Sequence, residues 1–176
     1  MSIFKKNMLV LALVSSAAFA ANAADQGSGT VTFTGSIIDA PCSITPDSID
    51  QTVNLGEVSQ AALASQGTSI PRNFAIDLQN CDLATLNKVS ITFNGSPDAA
   101  NADLLGITGT AKGAGIVITD GSGSPIKLGV ASAARALGEG NNTLAFSAYL
   151  KGSSAAVGSV KPGSFSSVAD FTLAYQ

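Results

Sequence analysis

Hydrophobic and polar residues alternate in short runs along most of this chain. In the stretch Gly29–Ile44, Val31, Phe33, Gly35 and Ile37 fall on one side, while Thr30, Thr32, Thr34 and Ser36 fall on the other. Strand side chains alternate with period two, so this pattern predicts a half-buried β-strand with one apolar face. It lies directly behind a polar tip, Ala24–Ser28. A strand so placed pairs either with its own domain or with another molecule.

The same alternation recurs downstream. Arg72–Cys81 carries Phe74, Ile76 and Leu78; Lys88–Phe93 carries Val89, Ile91 and Phe93; Leu144–Leu150 carries Leu144, Phe146 and Ala148. Ala169–Gln176 closes the series with Phe171, Leu173 and Tyr175. Val53 and Leu55 alternate over a shorter run, and Pro125–Gly129 carries Ile126 and Leu128. Gly115–Thr119 is almost continuously apolar, as in a strand covered on both faces. Between these runs, Thr45-Pro46-Asp47 reads as a turn and Gln60–Ser65 as one helical turn ended by Gly67. Pro97–Gly113 reads as a loop with a short apolar piece at Leu104-Leu105, and Gly152–Gly163 as a second loop. Seven or more short strands separated by Gly, Pro and Asn turns, with almost no helical periodicity, point to an all-β sandwich of immunoglobulin type. No repeat or linker divides the sequence after its leader, so it reads as one domain.

The leader is a targeting segment. Lys5 and Lys6 form a positive start, Met8–Ala20 is an apolar run, and Ala21-Asn22-Ala23 is a small-residue cleavage motif. Residues 1–23 are therefore expected to be a signal peptide cut between Ala23 and Ala24. The apolar run is short for a membrane span, and no stop-transfer pattern follows it. Export changes the reading of the two cysteines, Cys42 and Cys81. An even pair in an exported chain reads as a disulfide, whereas a metal or nucleophilic role lacks both a histidine and a C-x-x-C spacing.

Charge and chemistry narrow the function further. Without Lys5 and Lys6, seven basic residues face twelve acidic ones, a net charge of −5. That argues against nucleic acid or an anionic membrane as partner. The chain has no histidine, its carboxylates are scattered, and no catalytic residue, metal site or cofactor site is expected. Gly113-Ala114-Gly115 and Gly121-Ser122-Gly123 lack the lysine and helix context of a phosphate loop and read as hairpin turns. Asn94-Gly95-Ser96 and Asn141-Asn142-Thr143 fit the glycosylation sequon, a triplet that also arises by chance.

Several features in one order carry a specific resemblance. They are the alternating Val31-x-Phe33-x-Gly35-x-Ile37, then Ala40-Pro41-Cys42, then Val53-x-Leu55-Gly56 followed by Leu63. Phe74-x-Ile76-x-Leu78 then runs into Cys81, and the chain ends Phe171-x-Leu173-x-Tyr175-Gln176, with Gly163 fourteenth from the end. Together they resemble a major pilin of the chaperone–usher pathway, of the type 1 and P pilus kind. The resemblance implies an incomplete immunoglobulin-like fold, lacking its last strand and completed by donor-strand exchange. It implies that residues 24–37 are a donor arm and 38–176 the pilin body. Val31, Phe33 and Ile37 would be the pegs, and Gly35 would meet a shallow part of the groove. Gly163, Phe171, Leu173 and Tyr175 would belong to the acceptor groove and the chaperone-binding strand. The implied partners are identical or related pilin subunits, a periplasmic chaperone and an outer-membrane usher, with the final location a cell-surface fimbria. The residues support this on their own terms: the apolar face of Phe171–Tyr175 has no following strand in the sequence to pair with, and an unpaired apolar edge demands a cover. The competing expectations are a minor or tip subunit, or a secreted carbohydrate-binding module.

Overall fold

The structure is a computed structural model that describes residues 27–154, 156 and 158–176. The leader and the Ala23/Ala24 cleavage point lie outside those residues. The chain falls into two units, one ending at Ile37 and the other running Ile38–Gln176.

In the first unit, Gly27–Ile37 forms no strand and every residue is exposed. Val31, Phe33 and Ile37 are 73%, 89% and 102% exposed. The expected half-buried strand is therefore not formed. The period-two pattern is present, but a strand needs a ladder partner, and among the described residues this segment has none.

The second unit is all-β and immunoglobulin-like, built from two packed antiparallel sheets. Its elements are β1 Ser43–Ile44, α1 Pro46–Ile49, α2 Gln60–Leu63, β2 Arg72–Cys81, β3 Lys88–Gly95, β4 Leu105–Gly106 and β5 Thr108–Gly109. They continue with β6 Ala114–Asp120, β7 Pro125–Ile126, β8 Arg135–Ala136, β9 Gly140–Gly152, β10 Phe165–Ser166 and β11 Ala169–Tyr175. One sheet runs β1-β2-β9-β6-β4, with β7 also on β6; the other runs β11-β3-β8; β10 and β5 form a separate pair. The long strands follow the sequence alternation because their inward residues meet across the sandwich. Ile76, Leu78, Ile118, Leu144 and Phe146 of the first sheet pack on Val89, Ile91 and Phe93 of the second. Phe93 stands edge-on to Phe146 at 5.4 Å between ring centres, and Phe146 stacks on Phe74 at 5.5 Å.

Cys42 and Cys81 are joined as a disulfide, within the main core, across a separation of 39 residues. The bond ties the start of β1 to the end of β2, whose register pairs Ser43 with Gln79 and Ile44 with Leu78. The Gly121-Ser122-Gly123 turn forms as expected between β6 and β7. The Asp120 carboxylate accepts from the backbone amides of Ser122 and Ser124 and from the Ser122 hydroxyl. These bonds, the Ser122 hydroxyl first, hold its carboxyl below the usual carboxylate range. Gly113-Ala114-Gly115 is not a hairpin turn, because Ala114 and Gly115 already belong to β6. The glycine there serves close approach: a Cβ on Gly115 would lie 2.9 Å from the Leu104 Cβ.

Candidate functional site

Between the two sheets, one side of the body is open. Residues 51–58 and 160–169 form its walls, and Leu63, Ile107, Ala114, Ile116 and Leu150 form its floor. The groove encloses about 920 Å³. Its lining is apolar at depth, because Leu55, Leu63, Ala114, Leu150 and Val160 form a second buried cluster with Val53, Val58 and Phe165 packed against it.

Each wall is strand-like but lacks a partner along the groove. Residues 51–59 carry no strand, yet Val53 and Leu55 turn inward while Thr52, Asn54 and Gly56 stay exposed. On the other wall, Phe165, Ser167 and Ala169 are half-buried while Ser164, Ser166, Val168 and Asp170 are exposed. β11 continues that wall and pairs with β3 from Ala169↔Gly95 to Tyr175↔Val89. Among the described residues nothing pairs with its other edge. Gln60 Nε2 donates to the Val160 carbonyl at 2.6 Å, which closes one end of the groove and fixes the two walls running in opposite directions.

Of the residues expected in the acceptor groove, only Gly163 lines this cavity. Its backbone presses on Thr110 and Ala111, just past β5: a Cβ there would lie 2.5 Å from the Ala111 amide and 2.5 Å from Thr110 Oγ1. Gly163→Ala is therefore expected to destabilise the body by about 1–3 kcal/mol, measured by chemical denaturation, because backbone atoms must shift. Phe171, Leu173 and Tyr175 sit further along β11, half-buried against the main core; the Phe171 and Phe93 ring centres are 6.5 Å apart. Burial pushes the Tyr175 hydroxyl above its ordinary value of 10.0. The wall at 51–58 was not expected in the groove. Its signal in the sequence was the short Val53/Leu55 alternation, which does not say what it faces.

No group of three or more His, Cys, Asp or Glu side chains that could hold a metal occurs among the described residues. The chemistry on offer is strand pairing: two exposed backbone edges flank an apolar floor.

Comparison with known proteins agrees with this architecture. A family model for fimbrial proteins matches residues 31–176. The chain is 58% identical to the fimbria A protein of Serratia marcescens over 97% of this chain and 98% of that one. It is 52% identical to the major MR/P fimbria protein of Proteus mirabilis, over 98% and 99%. Among solved structures, the P pilus rod subunit PapA superposes with a TM-score of 0.69 at 35% identity, covering 78% of this chain and all of that one. A chaperone–usher pilus gives 0.74 at 36% identity, covering 86% and 97%. This chain belongs to the fimbrial protein family, whose members are structural subunits of surface fimbriae rather than enzymes.

Proposed function

We propose that copies of this chain join head to tail, each inserting its arm, residues 24–37, into the groove of the next. The observation that carries this is the conjunction of an exposed arm with period-two apolar residues and an apolar groove whose walls lack ladder partners on the edges that face it. Strand addition satisfies both at once: ladder hydrogen bonds form along the walls, and alternate side chains enter the floor. Burying Val31, Phe33 and Ile37 contributes about 5–9 kcal/mol before the arm's ordering entropy is subtracted. An arm and a groove at different places on one subunit make a heterologous contact, which grows into an open filament.

The other steps depend on an exposed groove. Residues 1–23 direct export and are removed after Ala23, and residues 38–176 form the body that carries the groove. A periplasmic chaperone covers the groove and the β11 edge by lending a strand, since an uncovered edge aggregates. An outer-membrane usher is where the arm of the next subunit replaces it. The fibre then lies outside the cell.

Electrophoresis of shed surface material in detergent tests the reading. A ladder of multiples without boiling, collapsing to one band on heating, is the expected result. A single band under both conditions contradicts it.

Gly35→Leu isolates the joint. An added Cβ at Gly35 meets nothing within 4 Å in the subunit, so the body should fold and accumulate normally. In the groove, a leucine there overpacks a contact and costs about 1–3 kcal/mol. Fibres should become short or absent by electron microscopy; fibres of ordinary length would count against the peg arrangement.

A further inference from the structure

We propose that Lys112 and Lys161 form an electrostatic landing site at one end of the groove, which receives Asp39 of an incoming copy and sets the rate and direction of arm capture. The proposal rests on the strand-addition reading above and goes beyond it by assigning charged groups to its first encounter.

Lys112 and Lys161 face each other as an antiparallel bridge. The Lys112 amide donates to the Lys161 carbonyl at 3.2 Å, and the Lys161 amide donates back at 2.9 Å. Directly opposed residues project to the same side, and like charges so placed repel. Both lysines are exposed and both line the groove. Among the described residues neither forms an ion pair; the one such pair joins Lys127 to Asp103. Glu57 stands on the opposite wall and forms no ion pair with either lysine, so this end keeps net positive charge.

The other half of the joint has the opposite sign. Residues 24–71 carry Asp25, Asp39, Asp47, Asp50 and Glu57 and no lysine or arginine. Asp39 lies two residues beyond Ile37 and is exposed. With period-two alternation, it points to the same side as Val31, Phe33 and Ile37.

Register then brings the charges together. The two walls run in opposite directions, so an inserted arm is antiparallel to one and parallel to the other; it is taken antiparallel to residues 160–169, the wall that β11 continues. Setting Val31 beside Ala169, the last residue of that wall, places Ile37, the last large peg, beside Gly163. Asp39 then falls beside Lys161. A parallel arm would carry Asp39 to the Asp170 end, where the charges repel. The lysines thus favour one arm polarity as well as a faster encounter.

The test measures capture of a fluorescent peptide of residues 24–40 by the full chain from residue 24, at about 20 mM and about 300 mM salt. The expected on-rate at low salt falls by about three- to ten-fold for the peptide carrying Asp39→Asn, and equally for the chain carrying Lys112→Gln and Lys161→Gln. Both changes together should slow capture no more than either alone, and Glu57→Gln should speed it. High salt should remove these differences. The peptide change cannot disturb folding of the body. Equal on-rates for all combinations overturn the landing site while leaving strand addition intact. Failure of the unaltered peptide to bind overturns strand addition and the landing site together.

Discussion

Phe33→Asp is expected to stop fibre growth while leaving the subunit's own fold untouched. In the subunit the Phe33 ring is 89% exposed, so the change removes no contact that holds the body together. In the joint the same ring is the largest peg. Losing its burial costs about 2–3 kcal/mol. Desolvating the new carboxylate in the apolar groove costs several kcal/mol more. At about 1.4 kcal/mol per tenfold, the arm's affinity falls by roughly a thousandfold or more. Circular dichroism of the purified subunit should be unchanged, and electron microscopy of cells should show no fibres. Normal fibres in this variant would remove the arm from the account.

Removing the disulfide is expected to have the opposite signature, a fold defect that precedes any joint defect. Replacing Cys42 and Cys81 by alanine frees a loop spanning 39 residues. On the chain-entropy account this costs about 4 kcal/mol, a large share of the roughly 5–15 kcal/mol that holds a domain of this size together. The bond also leads into the groove. It anchors β1, and the chain from β1 passes through α1, where Ser48 Oγ accepts from the Asp77 amide, into the wall at 51–58. Loosening that wall should weaken arm capture as well. The chain has no tryptophan, so unfolding is best followed by far-ultraviolet circular dichroism. A denaturation midpoint unchanged by the double substitution would show that the bond contributes nothing to the fold.

The two kinds of result differ because the arm and the body were legible in the sequence for different reasons. The main-core strands were readable because each buries one face: Phe74, Ile76 and Leu78 in β2, and Val89, Ile91 and Phe93 in β3, alternate as a pleated strand must. The arm carries the same alternation without a partner among the described residues, so periodicity alone predicts a strand with a burial it lacks here. The groove was legible only along one wall for a related reason. Phe171, Leu173 and Tyr175 have the pattern of a covered strand, and the main core is what covers them. The cavity instead joins residues 51–58 to residues 160–169. Periodicity within either run says nothing about a pairing across so many intervening residues. Gly163 was found through family resemblance, and its physical reason, contact with Thr110 and Ala111, became visible only with the fold in place. Gly113 to Gly115 misled in the same way, because glycine serves turns and close packing alike.

A density map of the assembled fibre tests most directly whether one body accepts another's arm. The expected map shows a strand of a neighbouring copy between residues 51–58 and 160–169, antiparallel to the latter, with Val31, Phe33 and Ile37 turned to the floor and Ile37 beside Gly163. A fibre in which that groove is unfilled, or is filled by the subunit's own residues 31–37, would contradict it.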